Sequence, residues 1–344
     1  MQVARATIFD VAQRANVSIK TVSRVVNREP NVRDSTRQRV ESAISELRYR
    51  PDQSARNLAS HRSHLIGLVY DDPAAYELPS SGYIIKMQEG ALRACRAGMN
   101  ELLIHPCDFR KKTVGAELKA LIRDARLSGI VLAAPLSNMP RIVRAIESTN
   151  TPLVRLSPGS VITDLPTVVT NDREVSAEMV RYLAQLGHTD IAFITGDPLH
   201  EAVADRFLGF QDGLAQSGLK MIKRFVIAGD NSFRSGEACA RKLLQRKHRP
   251  TAIFAANDDM AAGVIRVAGR MRISIREQLA VAGFDDITLS RQLDPALTTV
   301  RQPLARMAEH AVAMLANHSE HSNYECVPAT LQIRESTGPA PVKH

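Results

Sequence analysis

The chain predicts two architectures in series: an all-α helix-turn-helix headpiece, then an α/β body whose parallel sheets fall into two lobes. Three observations carry this expectation. Two short amphipathic helices occupy the first 27 residues, positive charge gathers in the first 62, and from Leu65 short apolar runs alternate with amphipathic stretches. At 344 residues the chain is long enough for two or three domains with a sizeable core.

Thr7-Ile8-Phe9-Asp10 forms a near capping box, with Asp where Glu or Gln is usual, and Val11, Ala12 and Ala15 follow as buried positions. Ala15-Asn16-Val17 turns the chain, and Ser18 caps a second helix. In that helix Val22, Val25 and Val26 recur at three- and four-residue steps on one face, while Ile19, Lys20 and Arg24 point outward. Such a pair fits a helix-turn-helix whose second helix enters a DNA major groove. The competing reading of the same residues is a helical hairpin with a solvated basic face. A third helix is expected from Asp34 to Leu47, buried through Val40, Ala43, Ile44 and Leu47, with Arg37 and Arg39 outward. Tyr49-Arg50-Pro51 ends it. The stretch 51–60 is helix-compatible but shorter than the ~12–15 residues an isolated helix needs, so it is expected to fold only when something buries it.

Charge favours the DNA-binding reading. The formal net charge is +9; residues 1–62 hold twelve cations and six anions, which places +6 there and +3 on everything after. A basic head on a nearly balanced body is the pattern of a polyanion-binding module attached to a separate domain. With 44% hydrophobic residues the composition is that of a globular protein. There is no apolar run long enough for a bilayer, and Arg5, Asp10, Arg14 and Lys20 interrupt the N-terminus, so the expected location is the cytoplasm. Cys95, Cys107, Cys239 and Cys326 fit neither a disulfide framework nor a metal site.

With these residues in view, the first sixty resemble the DNA-binding headpiece of the lactose-repressor (LacI) family of bacterial transcription regulators. The likeness is carried by Ile8-Phe9-Asp10-Val11-Ala12, by Val17-Ser18 with Thr21-Val22-Ser23-Arg24-Val25-Val26-Asn27, by Thr36-Arg37 with Val40, and by Leu47, Tyr49, Pro51 and Leu58. It implies DNA contacts at Thr7, Ser18, Ile19, Lys20, Thr21, Ser23, Arg24, Asn27, Tyr49, Ala55, Arg56 and Leu58. Arg24 and Lys20 suit the O6 and N7 acceptors of guanine, and Ile19 a thymine methyl. Leu58 would wedge into a minor-groove step, paired with the same residue of a second subunit, and kink the duplex. Arg33 stands where relatives often carry a Ser cap, leaving Asp34 or Ser35 to cap the third helix. The implied layout is a DNA-binding domain at 1–50, a hinge helix or linker at 51–63, and a ligand-binding and dimerisation body at 64–337. Its first lobe would cover about 64–163 and 297–322, and its second about 164–296 and 323–337.

For the body, strands are expected at Leu65–Tyr70, Glu101–His105, Gly129–Ala133, Leu153–Leu156, Ile191–Thr195, Phe225–Ala228, Thr251–Ala255, Leu279–Gly283 and Thr298–Arg301. Helix candidates between them include Tyr83–Ala97, Val114–Arg126, Arg173–Leu186, Ala202–Ser217 and Asp258–Arg272. This alternation means parallel sheets covered on both faces, and the strand count exceeds one comfortable sheet. The family resemblance continues through Leu186-Gly187-His188, Asn257-Asp258, Gly283-Phe284-Asp285-Asp286 and Leu331 to Thr337. It implies a periplasmic-binding-protein-like body, two flavodoxin-like lobes hinged around a cleft.

Ligands of such sheets bind beyond the carboxyl ends of strands. Asp71 and Asp72, Ser157, Asn257 and Asp258, and Asp285 and Asp286 fall there, with Arg206 early in a following helix. By resemblance Arg206, Asn257 and Asp285 bind effector hydroxyls, with Tyr83 packing from the first lobe and Asp71, Ser157 and Gln302 as further candidates. Asp258 is expected to cap its helix, and Asp286 to face structure. Relatives often place an aromatic at the position of Asn231; the nearest here is Phe233, and the chain has no Trp. Ser157 stands where sugar-binding relatives often have Asp. The implied protein is a homodimer, or a higher assembly, that binds a pseudo-palindromic operator and a small effector, with no cofactor and no metal. Its expected role is repression of a carbohydrate operon; a purine or nucleoside effector remains the alternative. An enzyme fused to a DNA-binding head has little support, since Gly-x-Ser-x-Gly, a phosphate-cradling glycine loop and His-Glu-x-x-His are all absent. His310, His318, His321 and Cys326 match no common metal spacing.

Overall fold

Thr7 opens the first helix through a complete capping box. Its amide donates to Asp10 Oδ2 at 2.7 Å and its Oγ1 accepts from the Asp10 amide at 3.4 Å. The computed structural model describes residues 6–26, 32–47, 49, 64–71, 82–159, 164–316 and 323–342. The expected contacts at Asn27, Ala55, Arg56 and Leu58, and the linker 51–63, lie outside these residues. By internal packing the chain divides into two units, Met1–Ser63 and His64–His344.

In the first unit α1 (Ile8–Ala15) ends on Asn16, whose φ of 50° sets the turn into α2 (Ile19–Val26). Val11, Ala12, Ala15, Val22 and Val25 are buried with Val40 and Ala43 of α3 (Asp34–Glu46). The third helix begins at Asp34 with Arg33 in the cap position and no side-chain cap bond. Arg14 of α1 pairs with Glu46 of α3 at 2.6 Å on the surface.

The second unit holds two parallel sheets. Its elements run β1 (Leu65–Asp71), α4 (Gly82–Ala97), β2 (Glu101–Cys107), α5 (Val114–Ala125), β3 (Gly129–Ala133), α6 (Pro140–Glu147), β4 (Leu153–Leu156) and β5 (Thr167–Val169). Then come α7 (Asp172–Gln185), β6 (Ile191–Thr195), α8 (Ala202–Gln216), β7 (Val226–Ala228), α9 (Phe233–Leu244), β8 (Ala252–Ala255), α10 (Asp258–Arg270) and β9 (Ala280–Ala282). The chain closes with α11 (Thr288–Gln292), β10 (Thr299–Arg301), α12 (Leu304–Ala316), β11 (Tyr324–Cys326) and β12 (Thr330–Gln332). The first lobe's sheet has the order β11-β5-β4-β3-β1-β2 and the second lobe's β7-β6-β8-β9. β10 and β12 pair antiparallel where the chain crosses between lobes.

Both sheets are covered on two faces, which is why their strands are apolar throughout. Leu68 and Val131 pack beneath α4 and α12, Ile130 and Leu132 beneath α5 and α6, and Phe193 and Phe254 centre the second lobe. The lobe boundaries differ from expectation. β5 and β11 pair with each other and join the first lobe's sheet, although the sequence puts residues 164–169 and 323–326 in the second. Thr167–Val169 and Tyr324–Cys326 are short and carry no longer apolar run that would mark them as strands.

Two helices of the first lobe touch through Gly90. A Cβ there would stand 1.9 Å from the Ala305 carbonyl oxygen at the start of α12. Gly90→Ala is expected to push α4 off α12 and cost about 1–3 kcal/mol, the range for overpacking a filled interface. Urea denaturation checks this, and an unchanged midpoint would contradict the close approach.

Candidate functional site

In the headpiece unit α2 presents Ile19 and Lys20 to solvent, Ile19 being 41% exposed, while Arg24 is half-buried. Ser18 caps the helix, its Oγ accepting from the Thr21 amide at 3.2 Å and lying 2.9 Å from Thr21 Oγ1. Two of the expected DNA-contact residues are thus also structural. Tyr49 is another, half-buried against the core of the three helices.

In the second unit a cleft of about 360 Å³ opens where strand ends of both lobes converge. The first lobe contributes Tyr70, Asp71, Tyr83, Met87, Phe109 and Arg110; the second contributes Asp197, His200, Arg206, Asp230, Asn231 and Asn257, with Asp285 from the turn after β9.

Arg206 is the centre of the polar wall. Its Nε donates to Asp172 Oδ1 at 3.0 Å, its Nη1 donates to the Ala256 carbonyl at 2.5 Å, and the same nitrogen lies 3.6 Å from Asp285 Oδ1. The guanidinium carbon stands 3.8 Å over the Phe284 ring. Burial opposes the charge on Arg206, but Asp172 and Asp285 outweigh it and hold the guanidinium above its usual value. Asp285 adopts φ 116° and accepts from Gln302 Nε2 at 2.5 Å. Its burial pushes the carboxyl up to about 7 against the pull of Arg206 and Gln302. Burial also raises Asp172, less Arg206's offset, and raises the Tyr83 hydroxyl beside the Asp285 charge.

The neighbouring carboxylates separate in role. Asn257, not Asp258, is the helix cap: its Oδ1 accepts from the Met260 amide at 2.9 Å, and its Nδ2 donates to the Asn231 carbonyl at 2.8 Å. Asp258 is buried beneath, accepting from the Ile287 amide at 2.9 Å and Thr299 Oγ1 at 2.5 Å. Asp286, at φ 55°, turns away from the cleft and gathers Arg291, Arg301 and Arg334 with Ser290. Burial works against that carboxylate, but the four donors hold it down at about 2.

Of the expected effector residues, Asp71, Tyr83, Arg206, Asn257 and Asp285 line the cleft together. Gln302 stands behind, holding Asp285. Ser157 opens instead on a smaller cavity with Arg155, Thr167 and Asp172. Phe233 is not in the wall; it sits beneath Arg266. The wall also contains Phe109, Asp197, His200 and Asp230, which sequence reasoning did not assign. The signal was present: Phe109 follows β2, Asp197 and His200 follow β6, and Asp230 follows β7, all beyond carboxyl ends of strands. Burial and the Arg206 charge bring the His200 imidazole down to about 4, so it is neutral. Among the described residues no group of acidic, His and Cys side chains could hold a metal ion, and no helix is long and apolar enough to cross a membrane.

Comparison with known proteins bears on both units. Residues 7–52 match the bacterial regulatory proteins of the lacI family, and residues 180–337 match the periplasmic binding protein-like domain. The HTH-type transcriptional regulator DegA of Bacillus subtilis is 32% identical over 97% of this chain and 99% of its own. The HTH-type transcriptional repressor PurR of Erwinia tasmaniensis is 32% identical over 96% of both. The lac repressor dimer bound to operator and the anti-inducer ONPF superposes with a TM-score of 0.79 at 26% identity, covering 97% of this chain and 99% of that one. A complex of the transcriptional regulator CelR with cellobiose gives a TM-score of 0.74 at 25% identity, with 96% and 100% covered. Head, body and near full-length likeness agree, and the chain belongs to the lacI family of bacterial regulatory proteins, DNA-binding transcription regulators rather than enzymes.

Proposed function

We propose that the protein represses a carbohydrate-utilisation operon, and that a sugar in the interlobe cleft sets its affinity for the operator. The observation that carries this is the placement of Arg206, buried between Asp172 and Asp285, with Gln302 of the crossover holding Asp285. Planar guanidinium and carboxylate groups make charge-assisted bonds to vicinal hydroxyls, and these two are tied to the segment on which the lobes hinge. A ligand that prefers one lobe arrangement shifts the population toward it, by no more than its differential affinity.

On the DNA side Ile19, Lys20 and Arg24 read base edges in the major groove, and Leu58 wedges a minor-groove step at the operator centre. A homodimer presents two such heads to a pseudo-palindrome, since a two-fold axis in the protein is mirrored in the DNA. Exposed Ile85 and Leu92 on α4 and Ile104 on β2 support a dimer contact along this edge of the first lobe. A purine or nucleoside effector is the second reading, supported by the likeness to PurR.

A thermal-shift screen of sugars and nucleosides tests the cleft, run in parallel on Arg206→Lys, which keeps the charge and loses the planar fork. A sugar that stabilises the native protein and not the variant is the expected result. Equal shifts in both would remove Arg206 from the site, and a response to nucleosides alone would favour the second reading. For the head, Arg24→Ala is expected to relax base preference at one position of each half-site and cost about 1–3 kcal/mol of operator binding. Titration of labelled duplexes varied at that position checks it; a uniform loss across sequences would make Arg24 a phosphate contact.

A further inference from the structure

We infer that the cleft is built for a cationic polyol: a polyhydroxylated small molecule carrying a protonated amine, such as an amino sugar, in preference to a neutral sugar and against an anionic one. This rests on the reading of the cleft as the effector site. Four carboxylates line it, Asp71, Asp197, Asp230 and Asp285, against two cations, Arg110 and Arg206. Both cations already face carboxylates. Arg206 donates to Asp172 and to the Ala256 carbonyl and lies 3.6 Å from Asp285, and Arg110 lies 3.9 Å from Asp197 across the cleft. Asp230 is held ionised, since the amide of Ser232 donates to it at 2.9 Å and Ser232 and Ser235 outweigh its burial.

Two neutral polar atoms behind the lining lack a hydrogen-bond partner. Asn231 Oδ1 and His200 Nδ1 are buried without a hydrogen-bond partner, and Asn231 Oδ1 can only accept. Asn257, the remaining amide, has its Nδ2 engaged by the Asn231 carbonyl and its Oδ1 by the Met260 amide. The lining therefore carries more negative than positive charge, and both of its guanidinium groups already face carboxylates. A phosphate or carboxylate entering it would meet like charge. A neutral sugar would supply hydroxyl donors but no positive charge to meet the excess of carboxylates over cations in the lining. An ammonium group supplies three donors and the missing positive charge together.

Isothermal titration of the full-length protein at pH 7 tests this with glucosamine, galactosamine and mannosamine. Each is compared with its parent hexose, its N-acetyl derivative and the hexose 6-phosphate, and adenosine and guanosine complete the panel. At least one amino sugar is expected to bind about tenfold or more tightly than its parent and its N-acetyl form, with the 6-phosphates binding least. Asp230→Asn and Asp197→Asn, which remove charge and keep shape, are each expected to shrink that ratio. Neutral hexose binding as tightly as its amine overturns the charge assignment and leaves the sugar reading standing. Tighter binding of a 6-phosphate, or an amine preference unchanged in both Asn variants, overturns the assignment likewise. Binding of a nucleoside with no response to any sugar overturns both it and the sugar reading.

Discussion

Arg206→Ala is expected to cost about 3–5 kcal/mol of folding stability and to abolish the ligand response, the largest effect of any single change in the cleft. The side chains of Arg206, Asp172 and Asp285 are 6%, 7% and 9% exposed. Removing the cation leaves two buried carboxylates without their counter-charge, and breaking a buried pair from one side costs that much because the survivor cannot regain water. The alanine also empties the space over Phe284. Urea denaturation measures the loss, and a shift under about 1 kcal/mol would mean that water or a neighbour replaces the guanidinium. Loss of stability and loss of binding are separable here, because Arg206→Lys retains charge where the alanine does not.

Asp286→Ala is expected to cost about 3 kcal/mol, the lower end of the range for a broken buried ion pair. Its side chain is only 1% exposed, yet of its three cations Arg291 and Arg301 are 58% and 46% exposed and can return to water. Arg334, 16% exposed, cannot, and it ties the chain after β12 to the turn after β9. The carboxyl is held at about 2 in the fold against an ordinary value of 3.8. Its contribution is therefore complete above about pH 4 and is lost as the pH falls from there toward 2. Melting temperature against pH should drop more steeply in this window for the native protein than for Asp286→Asn. Parallel curves would show that the three arginines gain nothing from the charge. Asp285 runs the other way: its fold-raised carboxyl makes stability fall as pH rises from about 4 through 7.

Much of the architecture was legible because burial leaves a simple trace. Gly129–Ala133, Leu153–Leu156 and Ile191–Thr195 fall where the apolar runs predict them, since a strand covered on both faces admits few polar residues. The headpiece was equally open, through Thr7, Asp10 and the Val22 and Val25 stripe. Thr167–Val169 and Tyr324–Cys326 were not, because three residues without a longer apolar run around them cannot be told from a loop. Within the cleft Arg206 and Asp285 were accessible through motif likeness, whereas His200 and Phe109 carry no local pattern. They reach the wall only because β6 and β2 end there, a fact of topology rather than of neighbouring residues. That Asn257 rather than Asp258 caps its helix was also beyond the sequence: both types cap helices, and one residue of phase decides which does.

The turn at Asp285 and Asp286 has a consequence for how such a protein can diversify. Two consecutive residues with left-handed backbone, one lining the cleft and the next facing three arginines, tolerate few replacements, and bulky branched side chains least of all. Lineages that change their chemical signal would accordingly keep this pair and vary the wall opposite. Leu199 and His200, which line the cleft at ordinary backbone angles, carry no comparable constraint, so evolutionary retuning of what the regulator senses has room there and little at the turn.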